Sequence, residues 1–548
     1  MAEMVNAILF DTRSIQRYIY AGNRLKTNIG ASYLVDRVFS EELVPVLQAE
    51  LAEDAVDAEG WKTGIDEERL QRHGQCVLAS NGGGSALVLF SQDVELERRI
   101  GIVRHFTQNL LVKRPGLHIG AAHGTIRLGE DFQKDLKELY RKLKENQNRV
   151  LPLVNVPYPG LTVSCEVDGE AANFYDRDHK IRPEGKYEQR FYSQETTVKA
   201  MAAESATEAL RAKYPDISKR FDFPMQIEEL GQKEQENYFA IIHIDGNNMG
   251  QKFRNCSTQA ERSRLSDNVR RKTEGCFGRL LEYIEKEYGS YADVLNLGGS
   301  VEGKPFMPIR PIILGGDDVT FVCPAKMALR YAKVFMEMMM EPDSVEGIDT
   351  EAARRMDCCA GIAILKTTYP FFRGYELAEQ LCESAKQKMR GLLGEKDGEG
   401  TSWLDFAILH GEQAPTLAQI REQEYTGARG NMHFGPYQVG HKAGCFPKEH
   451  RYDLENLLDA VQQFHRGCMA NNKLKEMRMV LQHGKHDAQK FLAQLEHLGQ
   501  RLPKIPEWAV YADTQNGLWS GSRTPYVDAI EMMDFIPAES KEAAPDEN

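Results

Sequence analysis

The sequence predicts an α+β protein made of two ferredoxin-like (βαββαβ) palm domains, followed by a C-terminal helical bundle. Three observations predict it. Residues 238–392 read as strand, helix, hairpin, helix, strand, helix, and the hairpin tip spells Gly-Gly-Asp-Asp. Residues 5–126 run through the same order with a bare glycine tip, an internal repeat. From 413 to 505 apolar residues recur at helical spacing.

Composition sets the outer limits. The chain has 548 residues, room for about three to five domains, and 42% hydrophobic content supports real cores. A net charge of −13 argues against coating nucleic acid by bulk electrostatics. The ten cysteines form no CxxC pair and read as reduced, buried thiols of a cytoplasmic protein. The apolar run near the N-terminus is too short for a secretion signal, and no stretch approaches a membrane span, so no membrane association is expected.

The first domain is placed at 1–150. Residues 5–10 form a short buried strand ending at Asp11, which either helps hold an ion or caps the following helix. Leu34, Val38, Leu43 and Leu47 form a helical stripe over the sheet, and residues 49–73 read as an acidic surface excursion. Residues 76–90 are strand, turn and strand, with Gly82, Gly83, Gly84 and Ser85 at the tip; a helix (92–112) and a strand (116–126) complete the unit. The tip has no acids, so this palm is expected to be catalytically silent. Its bare backbone N–H groups suit close approach of a phosphate. Ser32 and Asn81 are minor candidates.

Residues 151–232 are expected to form an irregular and helical connecting domain, opening on Pro-rich text. Arg211, Lys213, Lys219 and Arg220 read as a solvated helix face rather than a nucleic-acid site. Cys165 with the distant His179 cannot assemble a four-ligand site, so no zinc is expected.

The second domain, 233–412, carries the chemistry. Tyr238 to Ile244 form a strand buried on both faces, ending at Asp245. A polar loop follows (Gly246, Asn247, Asn248, Gly250), then a helix over 258–288 with Leu265, Val269, Cys276, Phe277, Leu280 and Ile284 on one stripe. The hairpin 309–323 has apolar arms around Gly315, Gly316, Asp317 and Asp318. A helix (325–340), a strand (356–365) and a helix (374–392) follow. Two adjacent carboxylates repel unless a cation lies between them, and hard divalent ions prefer carboxylate oxygen. With an acid at the end of the neighbouring strand, they make the donor set of two-metal phosphoryl transfer. Asp245, Asp317 and Asp318 are therefore expected to be catalytic and to hold two Mg²⁺ or Mn²⁺ ions, with backbone groups of Ile244 and Gly246 completing the ligand set. Backbone donors from Gly246 through Asn247, Asn248, Met249 and Gly250, and from Gly315 and Gly316, are expected to face the nucleotide.

Residues 393–402 read as a flexible loop, 406–411 as an added strand, 413–536 as the helical domain and 537–548 as a disordered tail. The glycine-rich stretch 424–446, with Arg429, His433 and His441, reads as a surface loop or an active-site lid. His486-Asp487 spells an HD dipeptide, but the further ligands of a phosphohydrolase are not in order, so a solvated helix pair is expected.

The segments HIDGNNMG (243–250), ILGGDDVTF (313–321) and 360–387 resemble the second palm of the CRISPR polymerase family. That family includes the large palm-domain subunit of type III CRISPR effector complexes and is related to diguanylate cyclases. Residues 11–36 resemble its first palm, through their Ile-Gln and Gly-Ala-Ser elements. The resemblance implies that Lys386 lies near the triphosphate; from the sequence alone, the same residue also reads as a solvated lysine at a helix edge. It further implies that the two palms face each other, with a second nucleotide at Gly82–Ser85, ATP as substrate, and a cyclic oligoadenylate or related signalling nucleotide as product, in antiviral defence. Other effector subunits and guide or target RNA are the implied partners. The chain departs from the family in lacking a nuclease before the first palm and a zinc ribbon, and in being shorter. That favours a compact or stand-alone relative. The loop 289–308 stretches the interval from Asp245 to Asp317 beyond a diguanylate cyclase spacing. The alternative is a non-catalytic scaffold subunit that keeps its palms as structure. A template-dependent polymerase would need a basic groove that an acidic chain does not offer.

Overall fold

Two sheets of one strand order organise the chain. The computed structural model describes residues 4–129, 131–149, 162–165, 167–179, 181, 190–233, 237–296, 300–301, 303–393, 401–411, 415–428, 430–440, 452–511, 518–519 and 521–539. The Pro-rich stretch 151–161, most of the 393–402 loop, Arg429, His441, Cys445 and the last nine residues of the tail lie outside the described residues.

In the first sheet the strand Met4–Arg13 (β1) is an inner strand. It is followed by the short helix Ile15–Tyr20 (α1), the helix Leu25–Val38 (α2) and the two-residue edge strand Val56–Asp57 (β2). The hairpin Cys76–Gly82 (β3) and Ser85–Phe90 (β4), the helix Leu96–Lys113 (α3), the strand His118–Arg127 (β5) and the helix Phe132–Arg149 (α4) complete it. The order is β2-β3-β4-β1-β5, with β4 and β5 both antiparallel to β1. Alternation along the strands feeds two cores. Ile8, Phe10, Leu78 and Val88 face Val38, Phe39 and Phe106, whereas Ala7, Leu9, Val77 and Leu89 face Leu136, Leu139 and Leu143 of α4. Residues 49–73 are not a mere surface excursion. Ala55, Val56 and Leu70 are buried, and β2 pairs in parallel with β3. The few apolar residues among the acids cover a sheet edge that would otherwise lie open.

The connecting region carries the helix Gln194–Lys213 (α5). The four basic residues of 211–220 are each met by an acid: Arg211 by Asp222, Lys213 by Glu274, Lys219 by Asp216 and Arg220 by Glu285. That leaves no bare cationic face here.

The second sheet repeats the plan. The strand Tyr238–Gly246 (β6) is followed by the short helix Met249–Arg254 (α6) and the helix Gln259–Glu287 (α7), which begins on a capping box of Thr258 and Glu261. Then come Arg310–Gly315 (β7), Asp318–Pro324 (β8), the helix Ala328–Met340 (α8), Cys358–Lys366 (β9), the helix Phe371–Leu393 (α9) and Ser402–Ile408 (β10). The added strand starts earlier than expected, because Trp403 and Leu404 also fill the core. The order is β7-β8-β6-β9-β10, extended by Tyr437–Val439 (β11), so β6 is enclosed on both sides. Helix α9 lies hard against β9 because Gly361 has no side chain; a Cβ there would come within 1.9 Å of the Ala378 carbonyl oxygen.

After β10 the chain carries the helices Leu417–Glu424 (α10), Leu454–His465 (α11), Asn471–His483 (α12), Lys485–His497 (α13), Pro506–Tyr511 (α14) and Pro525–Met532 (α15). His486 and Asp487 are exposed in the first turn of α13. The stretch 424–446 is neither lid nor surface loop where it is described. Tyr425, Met432, His433, Phe434 and Tyr437 are buried and β11 extends the sheet, because its aromatic residues seat the helical domain on β10. No helix among the described residues is long and apolar enough to cross a membrane.

The two palms interlock reciprocally. Helix α2 of the first packs on β7 of the second, and α7 of the second packs on β3 of the first. There Gln259 Nε2 and Ser263 Oγ both donate to the Ala79 carbonyl, at 2.7 and 3.1 Å. Tyr20, at the end of α1, is wholly buried and stacks on Tyr375 of α9 at 4.0 Å between ring centres.

Candidate metal and nucleotide site

Burial makes β6 rigid and delivers its last acid to the sheet's rim. Phe239 to Ile242 and Ile244 are wholly buried, and Asp245 follows at the strand's end. The hairpin partner is joined by a two-residue loop, Gly316-Asp317. Gly316 has φ +62°, the positive first central residue of a II′ turn, which a side chain would strain. The Gly246 N–H donates to the Asp317 carbonyl at 3.1 Å and ties the loop to the end of β6.

The register then decides the electrostatics. Asp318 pairs directly with Asp245 across the ladder, so the two carboxylates leave the same face, where like charges destabilise a sheet. One cation answers them. Lys386, on α9, has its Nζ on Asp245 Oδ2 and is only 14% exposed. Asp318 has no such partner. Its side chain is 41% exposed, yet Oδ1 is turned inward, buried and without a hydrogen bond. His243 Nδ1 lies 3.4 Å from that oxygen but is neutral at pH 7, because burial holds it down to about 4; its nearer partner is Thr320 Oγ1 at 3.2 Å. Burial, and then the charge of Asp245, push Asp317 up to about 6 and Asp318 up to about 8.

An all-carboxylate set short of positive charge, with an orphaned buried oxygen, fits a hard divalent ion. Among the described residues no three His, Cys, Asp or Glu side chains are gathered closely enough to hold one as they stand. An ion and the Lys386 ammonium compete for one carboxylate, that of Asp245.

Several expected contacts lie elsewhere. Ile244 is paired with Val319 on one side and Ala360 on the other, so its carbonyl belongs to the ladder and is not a free ligand. The N–H groups of Gly246 and Asn247 are engaged by the carbonyls of Asp317 and Asp357 and do not face a phosphate. Asn247 is 5% exposed, and its Nδ2 donates to the Thr401 carbonyl at 3.1 Å, which makes it an anchor. The Met249 side chain is buried. Asn248, Gly250 and Gly315 are exposed at the rim, and Gly316 has open space beside it.

In the first palm, Asp11 pairs with Ser85 as Asp245 pairs with Asp318, so Ser85 stands where an acid stands in the second palm. Asp11 caps no helix; it accepts from Gln147 Nε2 at 3.1 Å, and burial raises it. Gly83 and Gly84 have φ +59° and +74°, and the Gly84 carbonyl accepts from the Thr12 N–H at 2.8 Å. Ser85 Oγ donates to the Gly82 carbonyl at 3.2 Å.

Sequence reasoning missed Glu379, whose charge acts on Asp318, and Gln16 of the first palm, which donates to Glu379 Oε1 at 2.9 Å and to Tyr375 Oη at 3.1 Å. A signal existed for the first: Tyr375, Glu379, Cys382 and Lys386 follow at helical spacing on one face of α9.

Residues 238–393 match the family model described as Cas10/Cmr2, second palm domain. Similar solved structures include a Csm1–Csm4 cassette in complex with pppApApA, at 12% identity and TM-score 0.48, over 97% of this chain and 69% of that one. Csm1 in T.onnurineus is 14% identical at TM-score 0.47, over 97% and 70%. A Csm1–Csm4 cassette in complex with cA4 is 13% identical at TM-score 0.45, over 97% and 69%. No curated protein matches.

Proposed function

Residues 238–393 form a second palm domain of the Cas10/Cmr2 family, and from that premise we propose that the chain is a nucleotidyltransferase of type III CRISPR defence. It converts ATP to a cyclic oligoadenylate or a related signalling nucleotide. A ribose hydroxyl replaces pyrophosphate at the α-phosphorus, and one phosphodiester, one pyrophosphate and one proton result. The observation that carries this reading is the direct pairing of Asp245 with Asp318 beside Asp317, with one lysine as counter-charge and an orphaned carboxylate oxygen.

Asp245, Asp317 and Asp318 would hold two Mg²⁺ or Mn²⁺ ions. Such ions acidify an attacking hydroxyl and neutralise phosphate charge when bound. Lys386 exchanges its bond to Asp245 for one to the triphosphate, a charge-assisted contact of the same kind. The open turn at Gly315 and Gly316, with Asn248 and Gly250 beside it, leaves room for the phosphates at the rim. The glycine tip Gly82–Ser85, which carries no acid, takes the second nucleotide on the first palm. The partners of this reading are other effector subunits and guide or target RNA.

The test is incubation with labelled ATP and Mg²⁺ or Mn²⁺, beside an Asp317→Ala/Asp318→Ala variant, with products resolved by mass. A cyclic or linear oligoadenylate from the wild type alone is expected. If neither protein makes product, even with effector subunits and target RNA supplied, the reading fails in favour of a scaffold.

A further inference from the structure

Helix α9, which carries Lys386, is fastened at a second point outside the acid cluster. Asp405 of β10 is wholly buried and accepts from Ser384 Oγ (2.7 Å), Arg421 Nη2 (3.0 Å) and His433 Nε2 (2.9 Å). Asp528 of α15 is wholly buried too. It accepts from His433 Nδ1 (3.1 Å), the N–H groups of Phe434 and Gly435 (3.0 Å each) and Tyr437 Oη (2.8 Å). His433 thus donates from both ring nitrogens, each to a carboxylate, which makes it an imidazolium. Burial and Arg421 oppose that charge; the two carboxylates more than offset them.

Two anions and two cations therefore balance in a site closed to water. Packed apolar residues would serve stability as well, and Arg421 Nη1 is left without a hydrogen bond, so what the ionic network adds is a single permitted arrangement of the elements it joins. Here those elements are α9, β10, α10, the 433–437 segment and α15. Ser384 stands two residues before Lys386. Met389, three residues after it, touches Asn247 Nδ2 at 3.3 Å, and Asn247 is anchored to Thr401. The lysine is bracketed by two fixed points.

We infer that the buried Asp405–His433–Asp528 clasp, acting through Ser384, is a positioning device for Lys386, so that affinity for a nucleotide's triphosphate depends on the seating of helix Pro525–Met532 in the C-terminal domain. This rests on the role proposed above for Lys386. Ser384 and Asp405 touch no substrate; they act by setting the lysine's place on the helix.

The test uses the full chain in Mg²⁺ buffer, with ATP and AMP binding measured by calorimetry for Ser384→Ala, Ser384→Thr and Lys386→Met. Alanine keeps the helix and removes only the bond to Asp405. Ser384→Ala should lower ATP affinity about five- to tenfold, less than the full worth of one hydrogen bond to a charged group because the effect reaches the nucleotide only through the helix. AMP affinity should hold, thermal unfolding should shift by no more than a few degrees, and Ser384→Thr should restore ATP binding. Full ATP affinity in Ser384→Ala, with Lys386→Met weakened, overturns the clasp's positioning role and leaves the lysine's role standing. Equal loss for ATP and AMP marks a general structural role and overturns it as well. Unchanged ATP binding in Lys386→Met overturns both.

Discussion

Divalent-ion binding to the acid cluster should release protons in a number set by pH. Burial and the charge of Asp245 hold Asp318 at about 8 and Asp317 at about 6. At pH 7 the pair shares about one proton, which belongs to the pair more than to either residue, and an entering ion must expel it. The logarithm of the apparent association constant should then rise by about one per pH unit between pH 6 and 8, and by about two below pH 6. It should level off above pH 8. Each unit corresponds to about 1.4 kcal/mol. Mn²⁺ titrated calorimetrically in two buffers of different ionisation enthalpy gives the proton count directly. We expect a count near one at pH 7 for the wild type and well below one for Asp318→Asn, which removes the group that titrates there. No proton release from the wild type at pH 7, or the same count in both proteins, would refute the reasoning.

Four further outcomes rest on packing and charge. Asp528→Asn leaves His433 and Arg421 with one carboxylate between them; the loss should be about 3–5 kcal/mol, read as faster amide exchange in 430–439 and 525–532. In the wild type the same amides should be best protected between about pH 4 and 6.5. Protection falls above that window as His433, whose pKa is raised in the fold, gives up its proton. It falls below it because Asp528, whose pKa is lowered in the fold, takes up a proton when the region opens. Tyr20→Ala removes the buried ring between the palms and should destabilise by about 3–5 kcal/mol; unchanged exchange in both palms would refute the stacked contact. Gly361→Ala forces α9 off β9 and should lose about 1–3 kcal/mol or more; an unshifted denaturant midpoint would refute that close approach.

How far the sequence spoke depended on the range of the interaction. The βαββαβ order of both palms was legible from strand runs, helical stripes and glycine turns, all properties of neighbouring residues. Three adjacent-strand acids stood out for the same reason, and the basic cluster at 211–220 already read as surface. Nothing local, however, says that Asp245 pairs directly with Asp318, or that the N–H groups of Gly246 and Asn247 are claimed by carbonyls at 317 and 357. Residues 424–446 looked like surface because glycine, histidine and arginine are polar in isolation. His433 lies inside because a carboxylate 95 residues away and another 28 away meet its two nitrogens. Lys386 could be read as a solvated lysine until Asp245, 141 positions earlier, took its ammonium. Periodicity and turn chemistry are written in adjacent side chains, and these the sequence determined. Which polar groups are satisfied, and which acid is left unpartnered, is decided only when distant segments exclude water from the same place.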